Sequence, residues 1–276
     1  EVSRRHYRGS LGLIEQNGQY SFNRVLREQY LRGVVPQETP SSWGTLGGGL
    51  GMHALQAQAI AARTYLEAIS QLRQAKGYMT DTCDTAGCQV YLGASANGKP
   101  LDYGTDFWTT TAAVVNTSGQ IRVAHDGSIP LAEFGSSSGG WTTPQSELSA
   151  FPAVVDDGDD VEINPHHLWE KNIQRSGVES MYPEIGQLKE IKVTLRNGLG
   201  EWGGRTRQLL LRGTAANTTV NISNWAEDPL RKGLGLKSDW YRFPQFPEYS
   251  EPGFWLVKSN GGVLAVGTAK HFGDAK

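Results

Sequence analysis

The sequence predicts an α+β fold, with β-rich mixed sheets and hairpins around one long central helix at about residues 52–75. The helix is predicted because apolar residues recur three and four positions apart, which makes one apolar stripe. Hairpins are predicted because short alternating runs flank Asn-Gly and Asp-Gly turns. The chain also has 34 Gly, eight Trp and ten Tyr among 276 residues, a composition that suits β structure with tight turns.

The amino-terminal part, residues 1–35, is predicted to be mainly β structure. Residues 9–14 alternate between polar and apolar, and Asn17-Gly18 is a turn signal before the next run. A short helix at residues 24–31 is expected to follow the hairpin.

The next feature is a single acidic residue, Glu38, between Pro36 and Pro40. Each proline fixes its own φ and biases the preceding residue away from the helical region. We therefore expect Glu38 on a stiff, non-helical connector. Two interpretations stay open at this point: a surface glutamate in a proline-rich turn, and a carboxylate presented for catalysis on irregular backbone.

A glycine stretch, residues 44–51, precedes the central helix. Gln58 is predicted to project beside the apolar stripe of that helix, either as a polar edge position or as a functional group. Arg63 is predicted on another flank, one turn from Glu67. An i,i+4 ion pair between them is the simplest role for Arg63.

Residues 110–134 are predicted to form a β meander, followed by a Ser-Gly loop at residues 135–142. The loop is either a linker or a binding loop, because hydroxyls and backbone N–H groups at a strand end suit a polar ligand or an oxyanion. The acidic stretch at residues 155–163 is predicted to be a solvated turn rather than a calcium loop, since its spacing does not follow a 12-residue calcium loop.

The later elements are predicted in the order helix, hairpin, helix and hairpin. The first helix is expected from His166 to Ser176. The others are a hairpin at residues 187–213, a short helix at 225–235 and a small hairpin at 253–267.

Composition narrows the function. A net charge of −2 gives no basic surplus for a nucleic-acid or membrane-surface partner. No run approaches the roughly 18 apolar residues of a membrane span.

Cys83 and Cys88 lie five positions apart. Two cysteines alone make a poor zinc site but a plausible disulfide, and a disulfide would place the protein outside the cytosol. The chain opens on Glu1 without an initiator Met, so we expect a processed or trimmed chain.

Five segments, in this order, resemble the stage II sporulation protein D family, which includes the amidase-enhancer proteins. They span roughly residues 7–243 and are Tyr30–Trp43, Ala54–Tyr65, Cys83–Tyr91, Phe134–Thr142 and Leu234–Trp240. The resemblance implies a secreted, extracytoplasmic bacterial enzyme of the cell wall. It implies a lytic transglycosylase, a lyase that cleaves the β-1,4 bond between N-acetylmuramic acid and N-acetylglucosamine without a cofactor.

The resemblance also assigns roles to individual residues. The catalytic glutamate of the family falls on Glu38, which would act first as acid and then as base. Substrate-binding roles are predicted for the residues of the helix motif, the cysteine loop and the Ser-Gly loop: Arg63, Gln58, Gln89, Tyr91, Ser136, Ser137, Ser138 and Gly139.

The chain departs from the family pattern at three places. Gln56 stands where the family usually has Lys, and the glycine stretch is longer than usual, which suggests a mobile lid. Gly87 stands where the family commonly has His before the second cysteine, a loop at which some members bind zinc. Losing that ligand favours a disulfide between Cys83 and Cys88 over a zinc site.

The predicted domain organisation is a family domain at residues 1–243, which could form two lobes at about 1–150 and 151–243. A proline-rich linker at 244–252 and a repeat unit at 253–276 follow. One repeat cannot bury its own face, so we expect a chain cut from a longer one or a vestigial repeat.

Two other functions stay open. One is a non-catalytic enhancer that binds peptidoglycan glycan strands and stimulates an N-acetylmuramoyl-L-alanine amidase. The other is a hydrolase that pairs Glu38 with a second carboxylate such as Glu133.

Overall fold

The computed structural model describes residues 5–15, 18–84, 87–96, 99–100, 108–143, 151–243, 254–257 and 263–266. The chain divides into two compact units. Unit 1 comprises Glu1–Ser138 and Thr142–Val154, and unit 2 comprises Gly139–Trp141 and Val155–Lys276. The prediction of a family domain, a linker and a terminal repeat stays a prediction, since residues 244–253 and most of the tail lie outside the described residues.

Helices and short antiparallel sheets together make the α+β fold that the sequence predicts. The helices are α1 Arg27–Glu38, α2 Met52–Ala75, α3 Trp108–Asn116, α4 Arg175–Met181 and α5 Pro229–Leu234. The strands are β1 Ser10–Glu15, β2 Gln19–Arg24, β3 Ser95–Ala96, β4 Lys99–Pro100, β5 Leu188–Arg196, β6 Thr206–Gly213, β7 Asn217–Asn221, β8 Phe254–Val257 and β9 Val263–Val266. None of the helices in the described part of the chain is long and apolar enough to cross a membrane.

Unit 1 is built on α1, α2 and α3. The apolar stripe of α2 is buried, with Leu55, Ala59 and Ala62 fully inaccessible. They pack in a unit whose core also contains Leu31 and Val34 of α1. The predicted central helix is confirmed, and so is the amino-terminal hairpin, in which β1 and β2 pair antiparallel.

The predicted meander at residues 110–134 is wrong, because its first part is helix α3. Thr109, Thr110, Ala113 and Val114 are buried, and their spacing places them on one side of that helix. β-branched residues lower helix propensity by only a few tenths of a kcal/mol each. Burial of this face against α1 and α2 outweighs that preference.

The glycine stretch is folded closely onto the beginning of α2. Residues Ser41–Gly49 form 3₁₀ turns, interrupted by a kink at Leu46–Gly48. A Cβ on Gly51 would lie 1.8 Å from the carbonyl oxygen of Trp43, so only glycine fits there. The lid role of this stretch stays a prediction.

Unit 2 is built on a three-stranded antiparallel sheet in the order β5-β6-β7. The predicted hairpin at 187–213 is thereby confirmed, with β7 as an additional strand. Leu209 and Leu211 of β6 are fully buried and share a core with Val178 of α4 and Leu230 of α5. The terminal hairpin is also present, since β8 and β9 pair antiparallel.

The helix predicted to open at His166 is wrong, because the helix begins only at Arg175. The Asn164 carboxamide accepts a hydrogen bond from the backbone N–H of His166 and donates one to the Asp159 carbonyl. These local bonds offer the backbone an alternative to helical hydrogen bonds.

Asp228 caps helix α5 from a buried position. Its Oδ1 accepts the backbone N–H of Arg231 at 3.0 Å, and the helix ends at Gly235 in the left-handed conformation. Burial raises the pKa of Asp228, and the nearby Asp239 carboxylate adds to the rise. Ionised Asp228 therefore opposes folding at neutral pH, although its hydrogen bond supports the helix.

We expect Asp228→Asn to keep the cap and remove this charge penalty. Below the ordinary Asp pKa of 3.8 the variant and the wild type should be equally stable. As the pH rises from there through the raised pKa, the wild type should lose stability relative to the variant, because the folded state binds the proton more tightly. Chemical denaturation at a series of pH values measures the difference.

Asp239→Asn is the matched control, because Asp239 is buried but ion-paired with Arg205 and Arg207. That variant should be less stable than the wild type at neutral pH. Equal effects of the two substitutions would contradict the interpretation of Asp228.

Candidate active site

Glu38 is the last residue of helix α1, and the predicted non-helical connector is therefore wrong for this residue. Pro36 lies inside the helix, where it has no N–H to donate. The helix nevertheless closes, with the backbone N–H of Thr39 bonded to the Val35 carbonyl at 3.0 Å. It ends there because Pro40 biases Thr39 toward the extended backbone that it adopts, with φ −141° and ψ 130°.

The Glu38 side chain is half-buried, and one carboxylate oxygen is held by the protein backbone. The N–H of Val90 donates to Oε1 of Glu38 at 3.0 Å, across 52 residues of sequence. The carboxyl group is thereby placed by a second segment of the chain as well as by α1.

That second segment is anchored by Gln89, whose side chain is only 1% exposed. Its Nε2 donates to the carbonyl of Ala62 in α2 at 3.2 Å, and its Oε1 accepts from the hydroxyl of Tyr30 in α1 at 3.3 Å. Gln89 therefore bridges two helices beside Glu38. Its amide is already bonded inside the core, and the predicted contact of Gln89 with substrate stays a prediction.

Cys83 and Cys88 form a disulfide immediately before this anchor. The backbone N–H of Cys83 also donates to Sγ of Cys88 at 3.3 Å. In this state neither sulfur is a thiolate, so the pair does not offer the ligands that zinc requires. The small covalent loop leads directly into Gln89 and Val90.

Tyr91 also belongs to the core rather than to a groove surface. It is 4% exposed, its hydroxyl donates to Oδ1 of Asn23 at 2.8 Å, and its ring lies 4.7 Å from that of Tyr30.

Burial raises the pKa of Tyr30, and the charge of Glu38 contributes in the same direction. The hydroxyl of Tyr30 is therefore neutral, and it lies near enough to Glu38 to be affected by its charge. Sequence reasoning missed Tyr30, although it lies in the same motif as Glu38.

Arg63 is fully buried and pairs with Glu28 rather than with Glu67. Its Nε and Nη2 donate to the two carboxylate oxygens of Glu28, both at 2.8 Å. It also donates to four acceptors around it: the carbonyls of Ala59, Val114 and Gln120 and the hydroxyl of Thr117. The guanidinium is enclosed and its donors are engaged, and the substrate-binding role of Arg63 stays a prediction.

Sequence reasoning missed Glu28 because no short spacing connects it to Arg63, which lies 35 residues further on. Burial by itself would raise the pKa of Glu28, but the hydrogen bonds and charge of Arg63, together with the Gly119 N–H and Arg27, lower the net pKa. Glu67, the partner expected for Arg63, pairs with Arg27 instead.

Gln58 retains donor capacity. Its side chain is half-buried on α2, and its Nε2 atom is buried without a hydrogen-bond partner in the described part of the chain. A buried amide donor that lacks a partner costs about 1–3 kcal/mol, so a ligand acceptor at this atom would be stabilising. The substrate-binding role of Gln58 stays a prediction.

The Ser-Gly loop begins beside the core of unit 1, where the ring of Phe134 packs edge-on against Tyr65 at 6.4 Å. Ser136 is exposed, and Ser137 and Ser138 are half-exposed. The role of these three residues in binding glycan stays a prediction.

Gly139 belongs to unit 2, and its backbone N–H is already engaged. It donates to Oδ2 of Asp159 at 2.9 Å, and the same oxygen lies 2.7 Å from Nδ1 of His167. Asp159 is 7% exposed, so the predicted solvated acidic turn is wrong at this residue. The substrate-binding role of Gly139 stays a prediction, although a buried carboxylate already accepts its N–H.

The geometry defines a class of site: one half-buried carboxyl at a helix end, held by a backbone N–H of a disulfide-anchored loop. Comparison of sequences then gives the family. A sequence model of the family described as stage II sporulation protein matches residues 15–123, which contain Glu38 and its Val90 contact. The resemblance seen in the sequence is confirmed over these residues.

One relative is the amidase enhancer of Bacillus subtilis (strain 168), which is 34% identical over 127 residues. The match covers 45% of this chain and 14% of the relative, so the chain spans about one seventh of that protein's length. No solved structure matches the chain significantly.

The buried Arg63 predicts a large stability effect. Arg63→Ala should lower the free energy of unfolding by about 3 kcal/mol or more, because Glu28 and three carbonyls lose their donor. Arg63→Lys should recover only part of this, since one ammonium cannot reproduce the two-pronged bond to Glu28. Urea denaturation at neutral pH measures both values.

Gln58→Ala is the matched control on the same helix, and it should change stability much less. The effect of Arg63→Ala should shrink as the pH falls through the lowered pKa of Glu28, below its ordinary 4.5. A stable Arg63→Ala protein with impaired glycan binding would instead support the substrate-binding role.

Proposed function

We propose that the protein is a lytic transglycosylase that cleaves peptidoglycan glycan strands with Glu38 as its single acid and base. The observation that carries the proposal is the Glu38 carboxyl, half-buried at the end of α1 and oriented by the Val90 N–H. It lies in the part of the chain that matches the family. No second carboxylate is needed, because the substrate supplies its own nucleophile.

In the first step, protonated Glu38 donates its proton to the oxygen of the bond between N-acetylmuramic acid and N-acetylglucosamine. The bond between that oxygen and the anomeric carbon breaks, and N-acetylglucosamine leaves with the proton. Positive charge develops on the muramoyl ring while negative charge forms on Glu38. The attraction between these two charges stabilises the transition state.

In the second step, the 6-hydroxyl of the muramoyl residue attacks its anomeric carbon and gives its proton to Glu38. The product is a 1,6-anhydro end, and Glu38 returns to its starting state without consuming water. A hydrolase would need a second carboxylate for the water or for a covalent intermediate.

Two groups near Glu38 bear on the proposed chemistry. The Val90 N–H donates to its carboxyl group at 3.0 Å and holds it in place. The hydroxyl of Tyr30 is neutral, because burial raises its pKa, and it adds no charge to the site.

Glu38→Gln tests the proposal directly. The amide can still accept the Val90 N–H, so the fold should be retained, but it cannot deliver a proton. We expect about 10²-fold to 10⁴-fold less 1,6-anhydro product from purified glycan strands, measured by mass spectrometry. Glu133→Gln is the matched control, an exposed glutamate whose loss should leave the rate unchanged.

The type of end group separates the possible reactions. Reducing ends in place of anhydro ends, together with a loss of activity in Glu133→Gln, would support a two-carboxylate hydrolase. Unchanged anhydro formation by Glu38→Gln would contradict the proposed role of Glu38.

The similarity to an amidase enhancer supports a second candidate, a non-catalytic protein that stimulates a cell-wall amidase. In that case wild type would give no anhydro ends, and Glu38→Gln would stimulate a purified N-acetylmuramoyl-L-alanine amidase as well as wild type does. Release of stem peptides from intact peptidoglycan measures that stimulation.

A further inference from the structure

Unit 2 presents a tryptophan in a strained backbone conformation at the tip of the β5–β6 loop. Trp202 has φ 54° and ψ 17°, and it is the only non-glycine residue with positive φ in the described part of the chain. This left-handed conformation costs a bulky residue about 1–3 kcal/mol. Its neighbours Gly200, Gly203 and Gly204 also have positive φ, which glycine adopts without that cost.

The loop that carries Trp202 is held firmly in this conformation. The Gly198 N–H bonds to the Gly203 carbonyl at 2.9 Å, and the Gly204 N–H bonds to the Glu201 carbonyl at 2.8 Å. The indole N–H of Trp240 also donates to the Glu201 carbonyl, at 3.1 Å. These hydrogen bonds hold the loop in one conformation, and they impose the strained backbone of Trp202.

The strain serves no packing purpose in the core, since Trp202 remains 42% exposed. Its ring lies under the guanidinium of Arg242, which is 4.2 Å from the ring centroid. Arg196 connects the two segments that carry this pair. It donates to the Gly204 carbonyl, in the loop of Trp202, at 2.6 Å and to the Tyr241 carbonyl, next to Arg242, at 2.9 Å. The indole and the guanidinium are thus held together at the surface.

We propose that Trp202 and Arg242 form a glycan-stacking subsite in unit 2, separate in role from the carboxyl of Glu38. The C–H face of a pyranose ring packs against an indole, and a guanidinium donates to ring hydroxyls or to an acidic substituent. The choice of a glycan as the ligand rests on the proposed function. The preformed loop lowers the entropy cost of binding, since its own hydrogen bonds already order the backbone that carries Trp202.

The backbone conformation permits a test that separates binding from folding. Trp202→Gly removes the indole, while glycine is the residue best suited to this φ. We expect the thermal midpoint of unfolding to stay equal or to rise. Affinity for soluble glycan strands should fall by about tenfold or more, the usual effect of removing a tryptophan that anchors a ligand.

Binding is measured by titration calorimetry in the Glu38→Gln background, well below the unfolding midpoint, so that the strands are not cleaved. Two probes are used: peptidoglycan glycan strands freed of stem peptides, and chito-oligosaccharides. A fall for both would identify the N-acetylhexosamine ring as the recognised unit. A fall in affinity for the peptidoglycan strands alone would show that the muramoyl substituent is recognised as well. Either result supports the subsite.

Tyr20→Ala is the matched control, an aromatic residue 55% exposed on β2 of unit 1. It should leave the affinity unchanged. Unchanged affinity in Trp202→Gly would overturn the proposal, and so would an equal loss in Tyr20→Ala, which would indicate adsorption to any exposed aromatic ring. Because affinity is read without turnover, a failure of the catalytic proposal and a failure of this subsite give different results.

Discussion

The buried guanidinium of Arg63 is the interaction on which the architecture of unit 1 depends. It joins the Glu28 carboxylate of α1 to its own helix α2 and to the carbonyl of Val114 in α3. Removing a guanidinium from water costs several kcal/mol, which only a nearly complete set of acceptors offsets. The three helices can therefore satisfy it in one mutual arrangement, and that arrangement fixes the position of α1, whose last residue is Glu38, relative to α2 and α3.

The candidate site follows from this helical frame. With α1 and α2 in place, Gln89 can bridge Tyr30 and the Ala62 carbonyl, and the adjacent Val90 N–H then reaches Glu38. The disulfide limits the freedom of the segment that precedes this bridge. Several motif residues thus position the carboxyl through the core. This accounts for conspicuous polar residues, such as Gln89, that solvent does not reach.

The two units present different kinds of chemistry. Unit 1 holds the half-buried carboxyl of Glu38 against the Val90 N–H, and the proposed proton transfer rests on this group. Unit 2 holds an indole and a guanidinium on a rigid, strained loop, a property suited to the recognition of a ring.

The α+β class, the central helix and the amino-terminal and later hairpins could be predicted from the sequence, which also singled out Glu38 as the candidate catalytic carboxyl. These predictions follow from local periodicity, turn residues and recognisable motifs, which need no knowledge of distant partners. The folded structure was needed to show that residues 108–116 are helical, that Arg63 pairs with Glu28, and that Gln89 is an internal bridge. Each of these depends on burial or on a partner dozens of residues away, and the strained backbone of Trp202 likewise arises only from the loop packed around it.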